Sequence, residues 1–253
     1  MKLYSIIRLA FCMATMAGCD RKNLPGQISL KPDVTTGGYS IPKKGPIIIV
    51  QWGQSNMIGT GQVMDFIPHP RVSTNMPRTI GPGYAMAMLL ADAYPGLIVH
   101  IAQCAAKENA IENWMPGTPQ YAMCIGLVQD VERRTGGQII GLLAYQGESD
   151  TRDRLNLNWV SQFETLMASF RNDLGISNLP IVWARLGEYV TLDKQFQNYW
   201  STFKDNQLTV RLPPHSAMIE TEDQPVIDDV HHDGPANEVI GDRFYRAYMN
   251  LIN

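Results

Sequence analysis

Short apolar runs alternate with amphipathic segments along most of this chain, and this alternation constrains its fold. The runs cover residues 46–51, 97–103, 138–145, 179–186 and 216–220. Between them, apolar residues recur at helical spacing, as in Trp159, Phe163, Leu166, Met167 and Phe170. Alternating strands and helices are typical of a parallel sheet with helices on both faces. We therefore predict an α/β fold, a three-layer α/β/α sandwich with a five-stranded, mainly parallel sheet.

Length and charge limit the classes of function. The 253 residues fit one α/β domain with a tail. Charged residues make up 18% of the chain and its net charge is −3. Because no basic region is present that would hold a polyanion, we expect no nucleic-acid partner.

The first residues have the pattern of an export signal. Lys2 and Arg8 supply positive charge, and a short apolar segment ends at Met16-Ala17-Gly18-Cys19. This stretch resembles a bacterial lipoprotein signal. We predict a signal peptide over residues 1–18, lipidation of Cys19, and a cell-envelope protein anchored by its lipid and facing the periplasm. An ordinary signal peptide or an uncleaved anchor is the alternative, and each would export the chain.

The next segment has the composition of a linker. Residues 19–45 are rich in Gly, Pro, Lys, Ser and Thr, so we predict a flexible linker there and a folded domain over 46–253. Within that domain the cysteines are Cys104 and Cys124. An oxidising compartment permits a disulfide bond between them, whereas two buried thiols are the alternative.

Three polar clusters interrupt the apolar pattern. They are residues 53–56, 145–150 and 228–233, and the first two follow apolar strands directly. The carboxyl ends of the strands in such a sheet are where ligands bind. Ser55 therefore lies where a nucleophile would be expected, although most serines after a strand belong to a turn or a helix cap.

Together the clusters contain the groups of an acyl-transfer site. A serine hydroxyl needs an imidazole to take its proton and a carboxylate to orient that imidazole. Asp228 and His231 are three residues apart in one predicted loop, so they can reach each other. Asp229 and His232 have the same spacing and remain an alternative pair. A metal site at His231, His232 and Asp233 is disfavoured because no other cluster offers matching ligands.

These motifs resemble those of the SGNH-type carbohydrate acetylesterases, within them the sialate O-acetylesterase and acetylxylan esterase group. The resemblance covers about residues 46 to 251 and rests on the segments Gly53-Gln54-Ser55-Asn56-Met57, Gln146-Gly147-Glu148-Ser149-Asp150, and Asp228-x-x-His231 followed by Gly241-x-Arg243. It implies a flavodoxin-like sandwich and a serine esterase that removes O-acetyl groups from a carbohydrate such as a sialate. It implies no metal and no organic cofactor.

The resemblance also implies roles for particular residues. Ser55 would be the nucleophile, His231 the base and Asp228 the group that orients it. The oxyanion hole would be formed by the Ser55 N–H, Gly81 and Gln146. Gly241 lies ten residues after His231, which is the family's spacing and favours His231 over His232.

Substrate contacts are expected around these groups, at Gln54, Glu148, Asn109 and Trp114. Trp114 would offer an apolar platform to a sugar, with a plain core position as its alternative. Glu148 and Asp150 could suggest a glycosidase, but that hypothesis gives Ser55 and His231 no role. We favour the alternative that Glu148 hydrogen-bonds backbone N–H groups and braces the site. An acyltransferase or a general esterase could use the same residues, and a non-catalytic glycan-binding module could share the fold.

Overall fold

The computed structural model describes residues 39–60, 68–75, 81–152, 154–191 and 193–253. Its centre is a sheet of six parallel strands in the order β2-β3-β1-β4-β5-β6. The strands are β1 (Gly45–Gly53), β2 (Val72–Thr74), β3 (Leu97–Ala105), β4 (Gln138–Tyr145), β5 (Ile181–Ala184) and β6 (Ser216–Ile219). Because all strands are parallel, their carboxyl ends lie at one edge of the sheet.

Helices cover both faces of this sheet. They are α1 (Ser55–Ile58), α2 (Pro82–Ala93), α3 (Pro119–Thr135), α4 (Glu148–Thr151), α5 (Trp159–Asp173), α6 (Lys194–Gln207) and α7 (Gly234–Ile252), with a 3₁₀ helix over Ile111–Trp114. Helices α2 and α7 pack together on one face, and α3 and α5 lie on the other. The three-layer α/β/α sandwich is confirmed.

Burial on both faces explains the strand sequences. Ile47, Ile48 and Val50 in β1 are fully buried, since β1 lies between β3 and β4 with helices above and below. On one side Trp52 meets Phe163 of α5 at 6.1 Å between ring centroids. Central strands that are covered in this way are apolar along most of their length, which is why they are visible in the sequence.

The predicted strand count of five is wrong. The sixth strand is β2, a three-residue strand at the edge of the sheet, whose partner in the described part of the chain is β3. A segment of three residues is too short to show a strand period, and an edge position does not require a continuous apolar run. The other five strands lie where the apolar runs predicted them, with ends that differ by up to two residues.

Most N-terminal predictions fall outside the described residues. This holds for the signal peptide over 1–18, for Cys19 and for residues 19–38 of the linker. Within the described remainder of that linker, Tyr39 is buried and its hydroxyl donates to the Ile139 carbonyl of β4. Packing against the domain therefore begins before residue 46.

Cys104 of β3 and Cys124 of α3 form a disulfide bond, with a Cα–Cα distance of 5.2 Å. The bond ties α3 to the sheet, so the cysteines are paired and are not two separate buried thiols.

Across the described residues, none of the helices is long and apolar enough to cross a membrane.

Candidate active site

A sharp turn at the end of β1 positions Ser55. Gly53 has a φ of 151°, and a Cβ atom there would lie 1.9 Å from the Tyr145 carbonyl oxygen. Only glycine allows this approach of two backbones. The Gln54 N–H then donates to the same Tyr145 carbonyl at 3.0 Å. Ser55 therefore begins helix α1 at the carboxyl edge of the sheet.

The loop between β6 and α7 brings His231 to Ser55. His231 Nε2 lies 2.9 Å from Ser55 Oγ, and His231 Nδ1 lies 2.8 Å from Asp228 Oδ2. An ionised carboxylate can only accept, so Nδ1 carries the proton and Nε2 is left to accept from the serine hydroxyl. Three residues from two distant segments thus form one hydrogen-bond chain.

Asp228 is held in its ionised form by its own loop. Its Oδ1 accepts the backbone N–H groups of Val230 and His231 at 2.8 and 2.7 Å. Partial burial works to raise the pKa of Asp228, but these N–H groups and the imidazole outweigh it, so the net pKa is lowered. Its side chain is 52% exposed and that of His231 is 24% exposed. The chain of bonds is therefore open to solvent on this side.

Asn56, next to the nucleophile, holds both neighbours of His231. Its Nδ2 donates to the Val230 carbonyl at 3.1 Å, and its Oδ1 accepts the His232 N–H at 3.3 Å. The remaining Nδ2 proton is directed at Glu148 Oε1, 2.9 Å away. Sequence reasoning gave Asn56 no role beyond its motif, and its position in that motif was the available signal.

His232 occupies a different environment from His231. It is 1% exposed, its Nδ1 lies 3.0 Å from the Pro225 carbonyl, and its Nε2 lies 2.8 Å from the Tyr145 hydroxyl. Nδ1 therefore donates and Nε2 accepts. Burial lowers the pKa of His232, which favours the neutral ring. The structure brings His231, and not His232, to Ser55.

The side-chain amide of Gln146 is engaged within the protein in this structure, and its predicted role as an oxyanion donor stays a prediction. Its Nε2 lies 2.5 Å from Asp150 Oδ2, 3.1 Å from Gln54 Oε1 and 3.3 Å from the Asn109 carbonyl. Its Oε1 accepts the Trp159 indole N–H at 2.6 Å. An amide has two N–H groups, and here both are directed at buried acceptors.

The hydrogen bonds of the Gln54 side chain are likewise made within the protein, and its predicted contact with a substrate stays a prediction. Its Oε1 also accepts the N–H groups of Gly147 and Ser149, each at 3.2 Å, and its Nε2 donates to Ser149 Oγ at 2.6 Å. The side chain is 1% exposed. Gln54 thus fastens the turn after β1 to the turn after β4.

Gly81 lies against helix α1, and its role in the oxyanion hole stays a prediction. It is the residue that precedes helix α2, and a Cβ atom there would lie 2.1 Å from the Met57 carbonyl oxygen. The backbone of Gly81 therefore touches helix α1, which begins with Ser55. Any side chain would push the two segments apart.

Of the other two residues predicted to contact a substrate, one lies in the core and one is partly exposed. Trp114 is 1% exposed and packs edge-on against Trp52 with 5.9 Å between ring centroids, so it is a core residue and not a sugar platform. Asn109 is partly exposed, and its Oδ1 accepts from Asn113 at 2.7 Å. Asn109 therefore lies at the edge of the candidate site.

Glu148 is a buried carboxyl group beside the loop that carries His231. It is 7% exposed, and its Oε2 meets no hydrogen-bond partner among the described residues. Burial raises the pKa of Glu148 to about 7, because the charged form loses its hydration. Its Oε1 accepts from the Asn56 amide, so the structure gives Glu148 a supporting position beside Asn56. Its predicted contact with a substrate stays a prediction.

Comparison with known proteins identifies the family. The family model described as carbohydrate esterase, sialic acid-specific acetylesterase, matches residues 67–250. The chain belongs to this family. As a family member it is a carbohydrate esterase. The matched range contains Asp228 and His231 and begins after Ser55.

Individual relatives agree with this family. The chain is 24% identical to the probable carbohydrate esterase At4g34215 of Arabidopsis thaliana over 72% of this chain and 68% of that protein. The solved structure of that protein superposes with a TM-score of 0.70 at 21% identity, covering 83% of this chain and all of the other. The structure of NanS gives a TM-score of 0.66 at 15% identity, covering 83% of this chain and 98% of NanS.

A third structure extends the fold similarity. XAC1771, a carbohydrate acetylesterase from Xanthomonas citri, gives a TM-score of 0.63 at 17% identity, covering 81% of this chain and 56% of that one. At these identities the structures show a shared fold. The carbohydrate esterase family and the shared fold agree with the resemblance found in the sequence motifs.

Proposed function

We propose that this carbohydrate esterase is a serine hydrolase that removes O-acetyl groups from a glycan through an acetyl-serine intermediate. The observation that carries the proposal is the hydrogen-bond chain from Ser55 Oγ through His231 to Asp228, with distances of 2.9 and 2.8 Å. Family membership supports carbohydrate as the substrate class, and the names of the relatives support acetyl as the acyl group.

The acylation step follows from this geometry. Ser55 Oγ attacks the ester carbonyl carbon while His231 Nε2 takes the hydroxyl proton, and Asp228 stabilises the imidazolium. The tetrahedral intermediate collapses when the C–O bond to the sugar breaks, and His231 returns the proton to the sugar oxygen. The acetyl group remains on Ser55.

Deacylation uses the same groups in the same order. A water molecule gives its proton to His231 Nε2 and attacks the acetyl carbon. Collapse of the second tetrahedral intermediate releases acetate and restores Ser55 Oγ–H. The backbone N–H groups of Ser55 and Gly81 are the proposed oxyanion donors, since Gly81 lies against the helix that Ser55 begins.

Acetate release by the wild type and by Ser55→Ala tests the proposal. The substrates are an acetylated sialic acid, an acetylated xylo-oligosaccharide and p-nitrophenyl acetate. We expect Ser55→Ala to lower kcat by at least about 10³-fold, because the nucleophile is lost. Ser169→Ala is the control, since the hydroxyl of this serine donates within its own helix, to the Thr165 carbonyl. Equal rates for the wild type and Ser55→Ala would contradict the mechanism.

The same assay separates hydrolysis from acyl transfer. If acetate is the product even when free sugar is added as an acceptor, the protein is a hydrolase. An acetylated sugar as the main product would instead make it an acyltransferase with the same residues. Binding of glycan without any acetate release would make it a binding module.

A further inference from the structure

A cleft of about 310 Å³ opens beside helix α6, away from Ser55. We call it the α6 cleft. Its lining comes from one face of α6 and from the loops that follow β5 and β6. The lining residues that matter here are Arg185, Glu188, Tyr189, Trp200, Lys204 and Glu222. Its volume lies at the lower end of the range for small-ligand sites.

The cleft lies at the same edge of the sheet as the proposed active site. Strand β5, which leads into it, is two strands from β1, a separation of about 10 Å along the sheet. The Val190 N–H donates to the Asp229 carbonyl at 2.8 Å. The loop that lines the cleft is therefore bonded directly to the loop that carries Asp228 and His231.

An aromatic pair forms one wall of the α6 cleft. Tyr189 stacks on Trp200 with 4.7 Å between ring centroids and 25° between planes. Trp200 is 5% exposed, and its indole N–H donates to the Gly187 carbonyl at 2.9 Å. A buried, hydrogen-bonded ring thus supports a partly exposed tyrosine. Such a supported ring is a rigid apolar surface next to polar groups.

The charges in the cleft are largely paired with each other. Lys204 Nζ lies 2.6 Å from Glu222, and Arg185 lies 3.3 Å from Glu220 and 3.7 Å from Asp205. Both cations of the cleft are therefore neutralised by carboxylates, and Glu188 adds another negative charge. An anionic ligand would meet no unpaired cation among the residues that line the cleft, and Glu188 would repel it.

We propose that the α6 cleft is a subsite for a neutral sugar residue of the glycan whose ester is cleaved at Ser55. This inference rests on the proposed function. The C–H face of a neutral pyranose packs on Tyr189, and its hydroxyl groups bond to the carboxylates of the cleft and to the side-chain amide of Gln197, which also lines it. The cleft would hold a part of the chain remote from the ester, since β5 is two strands from β1.

Two tyrosines, one in the cleft and one outside it, allow a matched test. Tyr189→Ala removes the aromatic wall, whereas Tyr199→Ala removes a tyrosine of α6 that bonds Gln195 and does not line the cleft. The first measurement is KM and kcat with an acetylated xylo-oligosaccharide and with p-nitrophenyl acetate. The second is calorimetric titration of each protein with the deacetylated xylo-oligosaccharide and with free sialic acid.

We expect Tyr189→Ala to raise KM for the oligosaccharide, and its dissociation constant, about tenfold. It should leave kcat and the p-nitrophenyl acetate kinetics unchanged, and Tyr199→Ala should change nothing. Equal effects on both substrates, an unchanged dissociation constant, or preferential binding of sialic acid in the cleft would overturn the subsite. Titration needs no ester cleavage, so it decides the subsite even if the wild type releases no acetate.

Discussion

The polar turn after β1 and the polar turn after β4 contain similar side chains. They differ in whether a polar side-chain group stays accessible or is bonded to buried partners. In the first, Ser55 Oγ meets His231 at 2.9 Å at a place that solvent reaches through the loop of Asp228. In the second, the amide of Gln146 has both N–H groups and its oxygen bonded to buried partners.

This difference separates the proposed reacting groups from the supporting ones. Both turns lie at the carboxyl edge, so position alone does not distinguish them. Gln54 and Gln146 use their hydrogen bonds to hold the two turns together, and this fixes where Ser55 stands. A catalytic group must keep one atom available for the substrate. In the turn after β1, Ser55 Oγ is the atom that remains available.

Adjacent histidines give the largest expected contrast. His231→Ala removes the base and should lower kcat by at least about 10³-fold, with a change in unfolding free energy of less than about 0.5 kcal/mol. His232→Ala leaves the Tyr145 hydroxyl and the Pro225 carbonyl without the hydrogen bonds that His232 makes to them. It should cost about 1–3 kcal/mol of stability and keep kcat within about tenfold.

Urea unfolding and acetate release on the two purified variants measure both effects. Each variant serves as the control of the other, since the two residues are neighbours in one loop. A loss of kcat in His232→Ala that matched the loss in His231→Ala would reverse the assignment of the base.

The carboxyl group of Glu148 should make the stability of the folded protein depend on pH. Its pKa is about 7 in the folded protein, against a usual value of 4.5, so the folded state keeps a proton that the unfolded state has released between these values. The contribution of protonated Glu148 to the free energy of unfolding is complete below about pH 4.5. It is lost as the pH rises through about 7, and the total loss is about 3 kcal/mol. Glu148→Gln removes this titration and keeps an acceptor for Asn56.

Unfolding free energies at about pH 5 and about pH 8 test this sign. We expect the wild type to lose about 2.5 kcal/mol more between these pH values than Glu148→Gln does. Glu132→Gln, a change at an exposed carboxylate of α3, should follow the wild type. Identical pH dependence in wild type and Glu148→Gln would show that Glu148 is ionised throughout.

Much of the fold could be predicted from the sequence because buried parallel strands must be apolar along their length. Strand β2 could not, since three residues at a sheet edge need no such run. Among the site residues, Ser55, Asp228 and His231 could be located because their motifs have fixed spacing and parallel strands end at one edge.

The direction of a side chain was the part that the sequence could not supply. Gln146 turns inward because Asp150 and the indole of Trp159 lie there, and Trp159 belongs to another helix. Trp114 enters the core because Trp52 offers it an edge contact. Such orientations depend on partners that meet only after the chain has folded, and residue types at strand ends do not encode them.

Gln146→Ala is expected to have the smallest effect on catalysis. Its kcat shows whether Gln146 only holds the two turns together or also donates to the oxyanion. If it is a brace, Gln146→Ala should lower the unfolding free energy by about 1–3 kcal/mol and keep kcat within about tenfold. The loss of an oxyanion donor would instead lower kcat by about 10²–10³-fold. Asn156→Ala is the matched control, since its amide also donates to Asp150, at 2.8 Å.

The two variants remove one amide each from the same carboxylate, so their stability losses should be similar. If Gln146→Ala keeps kcat close to that of Asn156→Ala, the oxyanion is stabilised by backbone N–H groups without the Gln146 amide. If its kcat falls a hundredfold further, the amide must leave Asp150 and turn toward the substrate during the reaction, and the turn after β4 would then belong with the reacting groups.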